Sequence, residues 1–235
     1  MTVRIVDCRP LPAYHGGHLP GAVHLDRESD LTGEIGDVAR GRHPLPDAAT
    51  FARAAGRAGI GPGRFVLAYD DHEGWAHRLW WLLRHFGHDD AGAFDLRTYG
   101  GPLTTHAPAY EETVFEPHER GDDVIDAEEI HERLDDPRLL LLDARAPERW
   151  RGDVEPLDPV AGRIPGARNA FFEEPLPSGA QDADELAVYC GSGVTACVPL
   201  QQLILAGRAD ARLYPGSFSE WCRRDGYPIE KGDSQ

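Results

Sequence analysis

Lysine is almost missing from this chain. Lys231 is the only one, and every other basic side chain is an arginine. An anion pocketed in this protein is therefore met by guanidinium forks and not by ammonium groups. Cysteine is scarce too: Cys8, Cys190, Cys197 and Cys222 are four thiols in 235 residues. That is too few for a disulfide framework, and reduced thiols are expected. No CxxC pair occurs and no cysteine–histidine cluster has zinc-like spacing, so the sequence calls for no structural metal, and nothing in it asks for a cofactor. No apolar run approaches the roughly 18 residues of a membrane-spanning helix. The opening Thr2-Val3-Arg4-Ile5-Val6-Asp7 lacks the apolar centre of a signal peptide and reads straight into a strand. The expected compartment is cytoplasmic.

Positive charge is in short supply overall. Forty acidic residues face 24 basic ones, for a formal charge of −16. Such a surface repels phosphate backbones and anionic lipid, which excludes nucleic acid and membrane surfaces as partners. A small anionic substrate must find a local positive pocket on a negative body.

The chain does hold material for a core, 41% of it hydrophobic against 27% charged, and its length fits one large domain or two small ones. An internal repeat favours two. Ile5-Val6-Asp7-Cys8-Arg9 recurs as Leu141-Leu142-Asp143-Ala144-Arg145, and Gly17-His18-Leu19-Pro20-Gly21-Ala22 as Gly162-Arg163-Ile164-Pro165-Gly166-Ala167. Phe65-Val66-Leu67-Ala68-Tyr69-Asp70 then recurs as Glu185-Leu186-Ala187-Val188-Tyr189-Cys190, at a constant offset of 120. A long period with its elements in order means two copies of one domain. The first is placed at 1–106, a Pro- and Glu-rich linker at 107–122 and the second copy at 123–235. Between the second and third landmarks the first copy is longer by about 25 residues; the excess includes the polar stretch Arg27–Arg42 and Gly41-Arg42-His43-Pro44-Leu45-Pro46.

Leu139–Leu142 and Leu186–Tyr189 are short apolar runs of the kind buried in a parallel sheet. Asp126 with Glu129 forms a capping-box start for a helix. Thr195–Ala206, free of charge, predicts a largely buried helix closed by Gly207, with Pro199 tolerated near its first turn; Trp75–Phe86 is its counterpart. Alternating strands and helices give an α/β fold, each copy a central parallel sheet flanked by helices.

The chemistry concentrates at Cys190-Gly191-Ser192-Gly193-Val194-Thr195-Ala196, where a buried strand runs into a small-residue loop and then a helix. Ligands of open parallel sheets sit at that corner. Gly191 and Gly193 let the backbone curl so that successive N–H groups face the thiol, and the following helix adds the positive end of its dipole. Such surroundings favour thiolate, and would equally hold a second sulfur carried on it. The other reading, a small buried cysteine at a strand end, leaves the loop glycines without a role. Cys8 and Cys197 read as packing and Cys222 as partly exposed. Trp80-Trp81 reads as packing, and Asp7 and Asp143 as local hydrogen bonders of their turns.

Both copies resemble rhodanese domains, and the tandem resembles the two-domain sulfurtransferases of that family. The likeness is carried by Gly17-His18-Leu19-Pro20-Gly21-Ala22-Val23, Gly41-Arg42-His43-Pro44-Leu45-Pro46, Arg78-Leu79-Trp80-Trp81-Leu82-Leu83-Arg84-His85-Phe86-Gly87-His88, Asp143-Ala144-Arg145, the Cys190–Ala196 loop and Tyr214-Pro215-Gly216-Ser217-Phe218-Ser219-Glu220-Trp221. It implies that Cys190 takes a sulfur from a small anionic donor as a persulfide, then passes it to a thiol, a thioredoxin-like protein or cyanide. Asp70 at the matching position of the first copy cannot carry sulfur, so that copy is expected to be catalytically silent and to form one wall of a cleft. A monomer is the default for the tandem.

In this family, thiosulfate enzymes carry cationic residues after the cysteine and 3-mercaptopyruvate enzymes carry Gly-Ser-Gly. Gly191-Ser192-Gly193 therefore implies 3-mercaptopyruvate, a monocarboxylate suited to neutral donors. Thiosulfate, or a persulfide-carrier role with low small-molecule turnover, is the alternative. Arg149 matches the arginine that holds the donor carboxylate, while the loop residues Gly191, Gly193, Val194 and Thr195 frame the sulfur. The second arginine of vertebrate members, nine residues on, is Asp158 here; Arg151 is a weaker substitute. Ser192 is implied in carbonyl polarisation or proton transfer, and His18 is the histidine matched to it, although the stretch that would supply the third member of that relay is shortened at Leu11–His15. The family also resembles phosphatases whose loop is one residue longer and ends in arginine; here the loop ends at Ala196 without one.

Overall fold

The computed structural model describes residues 2–35 and 40–233. The polar excess at 27–42 includes residues 36–39, which lie outside the described residues. The chain divides into two compact units, one of Met1–Glu34 and Leu45–Arg120, the other of Ile35–Pro44 and Gly121–Gln235. The second unit thus takes a short segment from the first half of the sequence, which the domain boundaries read from the sequence alone assign to the first copy.

In the first unit, strands β1 (Thr2–Asp7), β2 (Val23–His24), β3 (Arg64–Asp70) and β4 (Ala91–Asp95) pair in parallel in the order β2-β1-β3-β4. Helices α1 (Leu11–Gly16), α2 (Ala48–Arg57) and α3 (Trp75–His85) accompany them. Asp47 caps α2 by accepting the Thr50 N–H at 2.7 Å, and Phe51 on its buried face stacks on Phe86 with ring centres 4.9 Å apart. Trp80 and Trp81 are buried in this core.

The second unit repeats the plan. Strands β5 (Leu139–Asp143), β6 (Arg168–Asn169), β7 (Glu185–Tyr189) and β8 (Arg212–Leu213) form a parallel sheet in the order β6-β5-β7-β8. The helices are α4 (Ala127–Glu132), α5 (Pro147–Arg151), α6 (Cys197–Leu205) and α7 (Ser217–Trp221). Asp126 caps α4 through the Glu129 N–H at 2.8 Å. Four of the five residues of β7 are buried, as a strand covered on both faces requires. Helix α6 begins two residues later than the charge-free run predicts, and Leu205 at its end is 80% exposed: absence of charge does not by itself bury a helix's last turn.

Each copy is tied at the same corner by the same polar device. The Asp7 carboxylate accepts the Arg9 amide and guanidinium at 2.7–3.2 Å, and the guanidinium reaches the Gly17 carbonyl at 2.7 Å. Asp143, Arg145 and Gly162 repeat this, with the Arg145 amide at 2.9 Å and the carbonyl bond again at 2.7 Å. Tyr69 and Tyr189 complete the pair by accepting the N–H groups of Leu19 and Ile164, each at 3.1 Å. These charges are buried but fully bonded, the condition under which burial is tolerated. Cys8 is buried beside this corner in the first copy, and burial, then the Asp70 and Asp7 carboxylates, push its thiol well up, so it is packing and not chemistry. Among the described residues no helix is long and apolar enough to cross a membrane.

Candidate active site

Strand β7 ends at Tyr189 and delivers Cys190 to the loop that precedes α6. The loop turns back at Gly193, whose φ of +78° favours glycine; a β-carbon there would run into the Pro215 carbonyl oxygen. The turn aims two amides at the sulfur. The N–H of Gly193 lies 3.1 Å from Cys190 Sγ and that of Ser192 lies 3.5 Å away. Val194 and Thr195, also expected to frame the sulfur, give their carbonyls to the amides of Cys197 and Val198 at the start of α6.

A second segment braces the loop from outside. Ser217, in the left-handed region at φ +53°, donates its hydroxyl to the Tyr214 carbonyl and accepts the Cys190 N–H at 3.1 Å. The amides of Phe218 and Ser219 bond the carbonyls of Cys190 and Gly191 at 3.0 and 2.9 Å. A non-glycine residue held at positive φ is strained, and here the strain is offset by the hydrogen bonds that fix the nucleophile's backbone.

The inserted stretch Gly41–Pro44 supplies what the second copy's own sequence does not. Gly41, at φ +92°, packs so close to Gly216 that a β-carbon would stand 2.7 Å from its carbonyl oxygen. The Arg42 amide bonds Ser219 Oγ at 3.1 Å. His43 then brings Nδ1 to 2.8 Å from Ser192 Oγ. Arg42 itself pairs with the buried carboxylate of Asp158.

Arg149, on α5, leans on Glu155 through Nε and Nη2 at 3.1 and 2.7 Å. A β-carbon added at Gly191 would stand 2.9 Å from Arg42 Nη2 and 3.4 Å from Arg149 Nη2. Two guanidinium groups therefore converge over the residue that follows the cysteine. Cys190 is 1% exposed, its sulfur met by two amides, and the guanidinium groups stand over its neighbour Gly191. Arg151, by contrast, pairs with Asp153 at 2.8 Å. Cys197 is buried with its thiol against the Gly193 carbonyl, and Cys222 is half-buried, its thiol pushed up by burial and then by Asp158.

His18, matched to Ser192 by the resemblance, is held within the first unit. Its ring stacks on Tyr14 at 3.9 Å, its two nitrogens lie 2.9 and 3.1 Å from the carbonyl oxygens of Tyr14 and His106, and it is 1% exposed. The repeat explains why. Arg163 holds the matching place in the second copy, stacked 4.1 Å over Trp150 and bonded to the carbonyls of Trp150 and Gly232. Both side chains fasten a loop to its neighbouring helix. The residues that sequence reasoning left without a role, Arg42 and His43, sit between Gly41 and Pro44 in the segment that makes the first copy too long. An excess of that length, carrying a cation and an imidazole between conformationally special residues, was the available signal.

Comparison with known proteins agrees with this fold. The family model described as "Rhodanese-like domain" matches residues 1–97 and again 126–224. A protein of Pseudomonas aeruginosa named "Probable 3-mercaptopyruvate sulfurtransferase" is 39% identical over 97% of this chain and 92% of its own length. One of Mycobacterium tuberculosis named "Putative thiosulfate sulfurtransferase SseB" is 36% identical over 94% of this chain and 85% of its own. The crystal structure of SseA from Escherichia coli, described as a 3-mercaptopyruvate sulfotransferase with the rhodanese fold, superposes with a TM-score of 0.77 over 92% of each chain at 27% identity. With two matched copies, two parallel sheets and sulfurtransferases among its relatives, the chain belongs to the rhodanese-like family in its tandem sulfurtransferase form.

Proposed function

We propose that the protein moves a sulfane sulfur from 3-mercaptopyruvate, through a persulfide on Cys190, to a thiol or cyanide acceptor. The Cys190 thiolate attacks the donor's sulfur, forming an S–S bond as the C3–S bond breaks. The electron pair left on C3 is held as the enolate of pyruvate until C3 takes up the proton that the donor thiol gave up. An acceptor thiolate or cyanide then attacks the outer sulfur; the S–S bond breaks and Cys190 leaves as thiolate. The observation that carries this reading is the pair of amides from Ser192 and Gly193 on Cys190 Sγ, a cradle suited to a sulfur anion before and after transfer.

Arg149 holds the donor carboxylate, and Gly191 leaves room for it. Ser192 with His43 moves the proton between donor sulfur and C3, the imidazole accepting and returning it through the hydroxyl. His18 stays outside this relay. A loop without cations favours the monocarboxylate donor over dianionic thiosulfate. The soluble cytoplasmic compartment, the monomeric state and a thiol acceptor such as a thioredoxin-like protein belong to the same reading.

Steady-state turnover with both donors, together with intact-mass analysis, tests it. The expected result is a persulfide adduct of about 32 Da on Cys190 after 3-mercaptopyruvate treatment, and faster turnover with that donor than with thiosulfate. Faster thiosulfate–cyanide turnover would overturn the donor. An adduct without multiple turnovers would make the protein a sulfur carrier, and no adduct with either donor would remove sulfur transfer altogether.

A further inference from the structure

Asp158 poses a problem of charge. It stands where the resemblance expects a second arginine for the donor carboxylate, and its side chain is wholly buried, with Oδ2 lacking a hydrogen bond among the described residues. Left alone, a buried carboxylate beside an anion site would repel the substrate. It is not alone: Arg42 and Arg223 (2.9 Å) both bond its Oδ1, and Arg149 lies 3.6 Å from Oδ2.

We propose that Arg42, carried in on the inserted segment and set by Asp158, is the second carboxylate-binding arginine of the donor site, and that Asp158 tunes this site to a single negative charge. Arg42 commits Nη1 to Asp158, and its Nη2, which bonds no described residue, faces the space over Gly191. Arg149 commits Nε and Nη2 to Glu155, and its Nη1, 3.5 Å from the same point, is likewise unbonded among the described residues. Two free N–H edges of two separate guanidinium groups thus meet above the cysteine loop. Each can take one oxygen of a carboxylate in a charge-assisted bond.

The count of charges gives the selectivity. Arg42, Arg145, Arg149 and Arg223 are linked through Asp143, Glu155 and Asp158 in one chain of ion pairs. Four cations against three anions leave one net positive charge. A monocarboxylate neutralises it. A dianion leaves a surplus negative charge in a half-buried place, where repulsion is poorly screened. The guanidinium that the resemblance to vertebrate members expects at position 158 is thereby moved to position 42, and the carboxylate left behind both orients it and caps the charge. This rests on the sulfurtransferase reading above.

Kinetics of the full chain with both donors test it. In R42A the KM for 3-mercaptopyruvate rises about tenfold while kcat stays within about twofold, because a binding contact is lost without loss of chemistry. R42K, which keeps the charge but not the fork, falls between. D158N keeps a hydrogen-bond acceptor for Arg42 and adds one net positive charge, so kcat/KM for thiosulfate relative to 3-mercaptopyruvate rises about tenfold. An unchanged KM in R42A, or an unchanged donor ratio in D158N, overturns the proposal, provided far-ultraviolet dichroism shows each variant folded; if one variant fails to fold, R42K and the other decide. The wild type separates the two levels. If it forms no Cys190 persulfide from 3-mercaptopyruvate, the functional reading itself fails; if it does and R42A binds as well as wild type, only the role of Arg42 fails.

Discussion

The two copies place one corner, strand into loop into helix, under opposite demands. In the first, Asp70 ends β3 and its carboxylate accepts the amides of His72 at 2.9 Å and Ala76 at 3.1 Å. In the second, Cys190 follows β7 and its sulfur accepts those of Ser192 and Gly193. The amide two residues on, His72 or Ser192, serves both copies, while the second donor differs: Ala76 in the first and Gly193 in the second. The residue at the strand end decides what these amides are for. A covalently attached carboxylate fills the first cradle permanently, and the loop around it adds Asp71 and Glu73, engaged by Arg9 at 3.7 Å and Arg27 at 2.8 Å. The second loop is neutral; on the proposed reading it keeps its cradle for a sulfur that comes and goes, with Arg42 and Arg149 as its cations. A silent site is, on the same proposed reading, one whose anion has been built in.

The strongest way to break this comparison is to exchange the two strand ends. Cys190→Ser loses sulfur transfer by about three orders of magnitude or more, since a hydroxyl at that position is neither ionised nor able to carry sulfur. Asp70→Cys restores nothing, because its loop carries Asp71 and Glu73, whose carboxylates engage Arg9 and Arg27. Mass analysis of the double variant after donor treatment checks this. A sulfur adduct on the thiol introduced at position 70 would mean that the amide cradle alone suffices, and that the borrowed arginines are incidental.

A smaller effect separates the two histidines. His43→Ala lowers kcat by about 10- to 100-fold, in the range of a lost proton relay, and Ser192→Ala on top of it costs little more because the two act as one unit. His18→Ala keeps kcat but lowers the unfolding midpoint, since it removes a ring stacked on Tyr14 and packed between the carbonyls of Tyr14 and His106. Equal losses of kcat at both positions would put His18 back into the chemistry.

How far the sequence reached follows the same division. The repeat, the parallel sheets, the capping of α4 by Asp126 and the Asp–Arg turns were legible because each is written locally, in period, spacing or a two-residue motif. Cys190, Gly191, Ser192 and Gly193 were legible for the same reason. Arg42 and His43 were not: their partners Asp158 and Ser192 lie 116 and 149 positions away, and no local pattern ties a histidine to a serine at that range. His18 was the more conspicuous candidate because it lies in a motif that both copies repeat. Its counterpart Arg163 packs on Trp150, a comparison available only once both copies are seen side by side.

The finest difference is between a built-in anion and one that must form, and it can be read from pH. Burial raises the carboxyl pKa of Asp70 above its ordinary value, and the amides of Ala76, His72 and Trp75 pull it only part of the way back. Below the ordinary value both folded and unfolded chains carry the neutral acid. As pH rises from there towards the raised value, the unfolded chain ionises first, so Asp70's contribution to stability falls across that window and then levels off. Asp70→Asn cannot ionise and shares every other carboxylate with the wild type, so the difference in unfolding free energy between the two isolates this group. Denaturant unfolding of both from pH ~3 to ~7 should find the wild type losing ground to Asp70→Asn as pH increases. A difference that grew in the wild type's favour with pH would mean that the amides outweigh burial, and that the first cradle still binds a full negative charge as the second is built to do.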